Sequence, residues 1–407
     1  MLDDIRVLEI SAPETMLAGC ILAALGADVV VVEPPAGSLG RRLDPYLDDI
    51  PGLERSLTWH AMNRNKRAIT LDIASADGRA ILAQLAAKFD AAIDSVQSRI
   101  AAAALDGIDL PDKLVRTRIS AFARSGPKSA YAASDLIVMA ASGAPGVSGD
   151  IDRPPLFFPV PQAMMEAGAD AAIATLAGLM ARDRDGQGQS AHVSARIAAM
   201  MGAMSQMLGP GAGNPEITRS GGSIAIAGVE VPSIYECADG FVLITVAFGP
   251  VFGQMTNRLA QWAAREQCLP PEIGEIPWTS FIPDLQQKKR TPAELQALVD
   301  GLKKLACNKT KEEFGAAARS LGLLASPVMN MRDVAESPQY RERGLFASTE
   351  ISGRRVDVPA RFAQCNNFTI EVRRPAPALS QHTVEILEGD LGLSRTEIQA
   401  LFAHGII

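Results

Sequence analysis

The stretch that decides the fold is IRVLEISAPETMLAGCILAALGADVVVVEPP, which runs from Ile5 to Pro35. Its apolar start, Ile5–Ser11, has the composition of a buried strand, and the alanine-rich segment after it has that of a helix. A β-branched run then leads from Asp28 into two prolines, which end it. A strand, a helix and a strand at this spacing predict a βαβ unit whose two strands are parallel.

The same pattern recurs in the next hundred residues. RAITLDI (67–73) and DAAIDS (90–95) are strand-like and flank the helical ADGRAILAQLAAKF, and LVRTRISAFA (114–123) adds another strand. The first 140 residues therefore predict an α/β fold with a doubly wound, Rossmann-like sheet. The turn after the first strand reads Ser11-Ala12-Pro13-Glu14, which lacks the glycine fingerprint of dinucleotide-binding proteins, and the chain has no Walker motif.

The length of 407 residues favours two domains. A Gly/Pro/Ser-rich stretch at 208–228 predicts a linker, and PSIYECADGFVLITVA after it predicts a hairpin that turns at Asp239-Gly240. We expect a large domain built from residues 1–207 and 331–407, and a small α+β domain from residues 229–330.

Composition excludes several classes of function. A net charge of −7 and the absence of long basic runs argue against a nucleic-acid surface. The apolar stretches are interrupted before they reach membrane-spanning length, and the acidic start MLDDIRVLEI is unlike a targeting peptide, so we expect a cytoplasmic protein with no membrane partner. Five dispersed cysteines and four dispersed histidines predict no metal site.

Seven motifs in order resemble the class III CoA-transferases, a family that includes carnitine-dehydratase-like enzymes and α-methylacyl-CoA racemases. They are LGADVVVVEPP, NRNKRAITLDI, RSGP, DRDGQGQ, YECADGFVLI, SPVMNMRDVAESPQYRERGLF and APALSQHTVEIL followed by LGLSRTEIQAL. The resemblance covers almost the whole chain. It implies an intertwined homodimer of subunits with a Rossmann-like large domain, and an active site that holds an acyl-CoA thioester.

The residue at the position of the family's nucleophile is unexpected. Transferases of this family carry an aspartate four residues before a glycine, and counting back from Gly168 places Met164 there. A thioether cannot form the acyl anhydride through which that aspartate acts. The histidine of the racemase motif is also replaced, because that motif reads Ala133-Ser134-Asp135 here. Met164 is interpreted either as an apolar wall for a substrate or as flexible core filler.

Glu14 is our first candidate for a catalytic group. It follows the first strand, at the edge of a parallel sheet where α/β folds bind ligands, and a partly desolvated carboxyl group there would serve as a general acid or base. The alternative is an acidic residue that stabilises a helix N-terminus. Glu166 is a second candidate. It would point away from Met164 if this segment is helical and the same way if it is extended.

Asp135 and His60 are weaker candidates. Asp135 matches the aspartate of the racemase motif and is either a chemical group or an anchor for a neighbouring loop. His60 would titrate near neutral pH, although most single histidines are structural. His192 and His382 are expected on helices, in structural roles.

For coenzyme A, the resemblance implies contacts from the loop after the first strand and from a basic cluster. The predicted residues are Ala12, Arg41, Arg64, Lys66 and Arg67. Arginine and lysine donors suit phosphate groups, but the same cluster is also typical of a charged loop that pairs with acidic neighbours. The family's Asn-Phe-x-Pro-Gly loop, which contacts CoA, is replaced by residues 95–99.

The leading hypothesis is an enzyme of this fold that carries out acid–base chemistry, of an isomerase or lyase type, on a CoA thioester. One rival is a CoA-transferase that uses another carboxylate, such as Glu166. The other is a catalytically silent subunit that pairs with an active paralogue.

Overall fold

The computed structural model describes residues 1–96, 99–131, 133–214 and 217–407. The strands are β1 Arg6–Ile10, β2 Asp28–Glu33, β3 Arg67–Thr70, β4 Ala91–Ser95, β5 Val115–Ser120, β6 Ser190–Ser194, β7 Ser223–Ile226, β8 Val229–Pro232, β9 Ile234–Cys237, β10 Gly240–Ile244, β11 Ala325–Val328, β12 Phe346–Ile351 and β13 Arg354–Pro359. The α-helices are α1 Met16–Ala24, α2 Leu57–Met62, α3 Ala76–Ala86, α4 Arg99–Asp106, α5 Asp135–Ser142, α6 Gln162–Asp185, α7 Ala195–Met201, α8 Met204–Gly211, α9 Gly253–Arg265, α10 Pro271–Gly274, α11 Phe281–Gln286, α12 Pro292–Cys307, α13 Lys311–Leu321, α14 Met331–Glu336, α15 Pro338–Glu342, α16 Thr383–Leu391 and α17 Arg395–Ala403. Short 3-10 helices occupy Leu39–Arg42, Leu47–Asp49 and Ala144–Val147.

The chain divides into two compact units. The first contains Met1–Pro145, Phe157–Glu216 and Gln339–Ile407, and the second contains Gly146–Leu156 and Ile217–Pro338. The second unit thus takes in more residues than the expected small domain. One reason is an ion pair between Lys311 and Asp333, which ties α14 to α13.

The first unit is built on a parallel six-stranded sheet in the order β3-β2-β1-β4-β5-β6. The βαβ unit predicted from the N-terminal sequence is therefore confirmed, and so is the α/β fold class. Strand order reverses between β1 and β4, and such a switch point opens a crevice at the carboxyl ends of the strands. The C-terminal helices pack beside edge strand β3, where Thr383 accepts a hydrogen bond from Thr70 N. Ile386 of α16 lies in the core.

Each face of this sheet carries its own apolar cluster. One face packs Val7, Val29 and Ile93 against α1, α6 and α7, and the other packs Leu8 and Val30 against α3, α16 and α17. Helix α6 is long and apolar enough to cross a membrane by length and composition alone, but half of its most apolar stretch is buried inside the protein. It contacts α1, α7, β5 and β6 as a core helix.

The second unit contains an antiparallel sheet in the order β11-β10-β9 with helices α9, α12 and α13 around its core. The predicted hairpin is confirmed, because β9 and β10 pair. Its turn is Ala238-Asp239, one residue earlier than predicted, since Gly240 already pairs with Cys237. The boundary between the two units falls within the expected linker at 208–228, parts of which belong to α8 and β7. One local expectation was wrong, because His192 lies on strand β6 rather than on a helix.

Candidate active site

Glu14 lies in the loop between β1 and α1, at the carboxyl edge of the sheet. The hydroxyl of Thr15 fixes this loop, since it accepts a hydrogen bond from Ala12 N at 3.2 Å and lies 3.0 Å from Glu9 Oε1. Helix α1 begins at Met16, and Thr15 is its N-cap residue. Glu14 therefore precedes the helix, and its carboxyl group is held by its own backbone N–H and by the side chain of Ser95.

Glu14 and Ser95 meet at the switch point of the sheet. Ser95 is the last residue of β4, which pairs with β1 in parallel, so the two strand ends are adjacent. Glu14 is only 9% exposed, and its Oε2 has no hydrogen-bond partner among the described residues. Burial raises the pKa of Glu14, although both hydrogen bonds oppose that rise. The result is a carboxyl group that is a stronger base than an exposed glutamate.

A cavity of about 300 Å³ opens beside this carboxyl group. Its apolar lining includes Ile10, Val32 and Leu71, from the ends of β1 and β2 and from just beyond β3. Ser11 and Ser38 also line it, and the hydroxyls of both are buried without a partner among the described residues. Buried polar atoms without partners are rare in proteins and mark places where a ligand or water supplies the missing hydrogen bond. A largely apolar cavity with a few polar groups is typical of a small-molecule site.

Lys66 lies beneath the Glu14 loop rather than in the cavity. It is fully buried and donates to Glu9 Oε2 at 2.7 Å, to Met16 O at 2.9 Å and to Asn63 Oδ1 at 2.9 Å. All three ammonium donors are therefore occupied by the protein itself. The pair with Glu9 braces the loop, because Glu9 also contacts Thr15. A direct contact of Lys66 with CoA phosphate stays a prediction from the resemblance.

The other predicted basic residues differ in how much of their charge is free. Arg41 is fully buried, pairs with both carboxylate oxygens of Glu33 at 2.8 and 2.9 Å, and lies over the ring of Trp59. Arg67 pairs with Asp28 at 2.6 Å. Arg64 donates to Ala61 O and has no ion pair with any described residue. Ala12, by contrast, lines the cavity beside Glu14.

Helix α6 brings the Met164 segment close to the Glu14 loop. A Cβ placed on Gly168 would lie 3.0 Å from Leu17 Cβ and 3.3 Å from the carbonyl oxygen of Glu14, so helix and loop are in direct contact. Met164, one turn earlier on the same helix, is buried in the apolar cluster with Ala18. These contacts favour its interpretation as a core side chain.

Asp135 is bound to the start of α6. Its Oδ1 accepts a hydrogen bond from Met164 N at 2.9 Å, and Ala163 N also donates to its carboxylate. An acidic group at the N-terminus of a helix satisfies free amides and interacts well with the helix dipole. Burial raises the pKa of Asp135 despite these hydrogen bonds. The geometry matches the anchoring alternative for this residue.

Glu166 and His60 lie apart from the cavity lining. Because residues 162–185 are helical, Glu166 faces a different direction from Met164, and it is exposed where Met164 is buried. Partial burial, with the nearby charges of Asp135 and Asp170, raises the pKa of Glu166. His60 is buried on α2 with Nε2 3.1 Å from Glu54 O, and burial lowers its pKa.

The sequence did not predict the hydrogen bond from Ser95 or the roles of Ser11 and Ser38. Their signal is position, since Ser11 and Ser95 follow or end parallel strands at the switch point. In the replaced loop at 95–99, Gln97 and Ser98 lie outside the described residues. Within the described ranges, no group of three or more His, Cys, Asp or Glu side chains is placed to hold a metal ion.

Comparison with known proteins gives matches to CoA-transferases over nearly the whole chain. The sequence matches the model of CoA-transferase family III over residues 2–383. The succinyl-CoA:(R)-benzylsuccinate CoA-transferase subunit BbsE of Thauera aromatica is 26% identical, over 99% of this chain and 97% of that protein. The probable CoA-transferase Rv1866 of Mycobacterium tuberculosis is 30% identical over 91% of this chain, which spans only 45% of that protein. A CAIB/BAIF family protein from Brucella suis shares the fold, with a TM-score of 0.77, 23% identity and coverage of 96% of this chain and 99% of that one.

Proposed function

The chain belongs to CoA-transferase family III, and from that membership we propose that it binds an acyl-CoA thioester at the Glu14 cavity and moves a proton on the acyl group through Glu14. The observation that carries this proposal is the buried Glu14 carboxyl group, with one unpartnered oxygen among the described residues, at the switch point of the sheet. The reaction is of an isomerase or lyase type.

The chemistry follows from the environment of that carboxyl group. The α-carbon of a thioester is acidic, because the carbonyl group delocalises the charge left when a proton is removed. Glu14 as carboxylate accepts the α-proton, and as carboxylic acid returns a proton to carbon, so the enzyme ends unchanged. The pKa of Glu14 is raised towards neutral pH, so the carboxyl group is more readily protonated there than an exposed glutamate. This suits a group that must both accept and return a proton. Ser95 holds the group in place through its hydrogen bond.

Transfer through an anhydride is less well supported. Met164 has no group that can attack a carbonyl carbon, and its side chain lies in the core. Glu166 is exposed on another face of α6. A transferase that used Glu166 would need the acyl group to approach that face, on which this chain shows the acidic neighbours Asp135 and Asp170.

For the coenzyme, the apolar lining with Ala12 suits an uncharged part of the molecule. We assign phosphate contacts first to Arg64, which has guanidinium donors left after its bond to Ala61. Arg41, Lys66 and Arg67 act on the coenzyme mainly by shaping the loops around it, since each is engaged in an ion pair.

The test is proton exchange between solvent and the substrate. Acyl-CoAs, beginning with succinyl-CoA, are incubated with the protein in D₂O, and deuterium at the α-carbon is measured by mass spectrometry. The wild-type protein should incorporate deuterium at the α-carbon. The rate of incorporation should be about 100- to 10,000-fold lower in Glu14→Gln and unchanged in Glu166→Gln. Loss of exchange in Glu166→Gln with retention in Glu14→Gln would make Glu166 the acid–base group instead. Transfer of CoA to an acceptor acid without exchange at the α-carbon would replace this proposal with the transferase rival.

A second candidate function is favoured by the relatives. The name of the Thauera aromatica protein describes a subunit of a CoA-transferase, and this chain spans about half of the length of Rv1866. Both facts fit a catalytically silent subunit that pairs with a second family member. That partner would carry the nucleophilic aspartate, and this chain has Met164 in its place. In that case the protein alone would neither exchange protons nor transfer CoA, and transfer would appear only after co-expression with an aspartate-bearing paralogue.

A further inference from the structure

A second cavity, of about 430 Å³, lies on the first unit and shares no lining residue with the Glu14 cavity in the described part of the chain. It is formed where the sheet surface changes from apolar to charged. Alternation along β5, VRTRIS, places Val115 and Ile119 in the core shared with α6 and turns Arg116 and Arg118 to the opposite face. On that face β1 to β4 contribute apolar side chains such as Leu8 and Ala92 to a core.

The arginines belong to two cross-strand rows. Arg118 lies between Asp94 on β4 and His192 on β6, and Arg116 lies beside Ser190 of β6. Residues in register on adjacent parallel strands point to the same side of a sheet, so all these side chains share one surface.

Two aspartates hold the guanidinium groups in fixed positions. Arg116 and Arg118 each reach Asp94 Oδ2, at 2.8 and 2.6 Å, and each reaches Asp106 on α4, at 2.9 and 3.0 Å. Asp94 is fully buried. Arginines fixed in this way need little further ordering to receive a ligand.

The cavity retains donors and positive charge after these pairs are formed. Arg116 Nε is buried and has no acceptor among the described residues. Arg124, which also lines the cavity, is exposed and has no ion pair or hydrogen bond with any described residue. Three arginines therefore face two aspartates, a local excess of one positive charge in a chain whose net charge is −7.

We propose that this cavity binds the carboxylate or phosphate group of a small organic anion, with Arg124 as its main charge partner and Arg116 Nε as a buried donor. Guanidinium groups match both oxyanions in geometry. The volume admits a metabolite rather than a single ion, since small-molecule sites typically measure about 300–1,000 Å³. Among the described residues the site shares no lining residue with the acyl-CoA cavity, and it does not rest on the function proposed above.

The experiment titrates the full-length protein with inorganic phosphate and, separately, with succinate, at constant ionic strength held with NaCl. Thermal unfolding temperature is recorded at each concentration. We expect a saturable rise in wild type, an apparent affinity at least about fivefold weaker in Arg124→Gln, and no response in Arg124→Glu, because a single charge-assisted contact is removed and then reversed. Arg124 is exposed, so neither variant should disturb folding.

Two matched variants show whether the rise in unfolding temperature comes from binding in this cavity. Arg184→Gln removes an exposed arginine from the end of α6 and should respond like wild type. Glu14→Gln alters the acyl-CoA cavity and should also respond like wild type. A stronger response to phosphate or to succinate identifies which oxyanion is preferred. Equal responses of the Arg124 and Arg184 variants, or no saturable response to either anion, would overturn the proposal.

Discussion

The carboxyl group of Glu14 is in an environment that favours chemistry over stability. It is held by two hydrogen bonds, yet one oxygen is buried without a partner among the described residues. Unpartnered buried polar atoms destabilise a fold unless a ligand or water satisfies them. The same desolvation that is unfavourable for folding makes the carboxylate a better base.

Because burial of the ionised carboxylate is unfavourable for folding, Glu14→Gln is predicted to stabilise the protein at neutral pH. The pKa of Glu14 is raised in the folded state, so folding is favoured by the neutral form and that advantage is lost as pH rises from the unfolded pKa of about 4.3 through the folded value. Glutamine cannot ionise, so the variant should be more stable than wild type by about 1 kcal/mol above this window. Below about pH 4 the difference should vanish, since the carboxyl group is then neutral in both states. Urea unfolding at pH 4 and pH 8 measures both values.

The glutamate–lysine pair beneath the loop gives a prediction of the opposite sign. Lys66→Met leaves Glu9 buried without its cation, which should destabilise the protein by about 3–5 kcal/mol. Replacing both partners, as Glu9→Met with Lys66→Met, should recover most of that loss, because no unpaired charge remains. Chemical denaturation of the two single variants and the double variant completes the comparison. If Lys66 instead served mainly to bind phosphate, Lys66→Met would weaken CoA binding with little change in stability.

At the scale of the elements, the crossing of α6 over the Glu14 loop determines how the site is held. Gly168 permits the close approach, since any larger residue would meet Leu17 and the carbonyl of Glu14. Asp135 fixes the first turn of the same helix. Helix α6 thus connects the position of the family's nucleophile with the loop that carries Glu14.

We therefore predict that Gly168→Ala shifts the loop and lowers both stability and proton exchange. Adding a methyl group to such a contact should cost about 1–3 kcal/mol. Gly389 in α16 is the control, because a Cβ there would meet nothing within 4 Å. Gly389→Ala should gain about 0.5–1 kcal/mol from the helix propensity of alanine. A Gly168→Ala variant as stable and as active as wild type would show that the crossing tolerates more space than the geometry gives it.

These contacts also explain which parts of the fold sequence patterns could predict. Strand β2 contains four consecutive valines and β1 is short and mostly apolar, so both strands and their parallel pairing could be inferred directly. The polar face of β5 was not anticipated, since alternating arginines usually indicate solvent rather than a cavity. Glu14 could be placed from its position after a strand, but Ser95 could not, because a hydrogen bond between neighbouring strand ends requires the strand order. Strand order depends on contacts distant in sequence.

At the scale of the whole molecule, the site depends on segments from distant parts of the chain. The side chains of Arg41, on the 3-10 helix Leu39–Arg42, and of Trp59, on α2, both donate a hydrogen bond to the carbonyl oxygen of Pro377. The C-terminal residues Ile406 and Ile407 enter the core of the sheet. The C-terminal segment therefore completes the core beside the N-terminal strands, and the first unit is assembled from both parts of the chain.

From family membership we also propose that the protein forms an intertwined homodimer. Sedimentation velocity should give a species of twice the 43.1 kDa chain mass. If the subunits pass through each other, dilution cannot separate them, because separation requires unfolding. Folded dimers with and without an affinity tag should therefore form no hybrids when mixed for days, whereas joint unfolding and refolding should form them. Rapid formation of hybrids between folded dimers would indicate ordinary surface association. A monomer that dimerises only with an aspartate-bearing paralogue would instead favour the silent-subunit function.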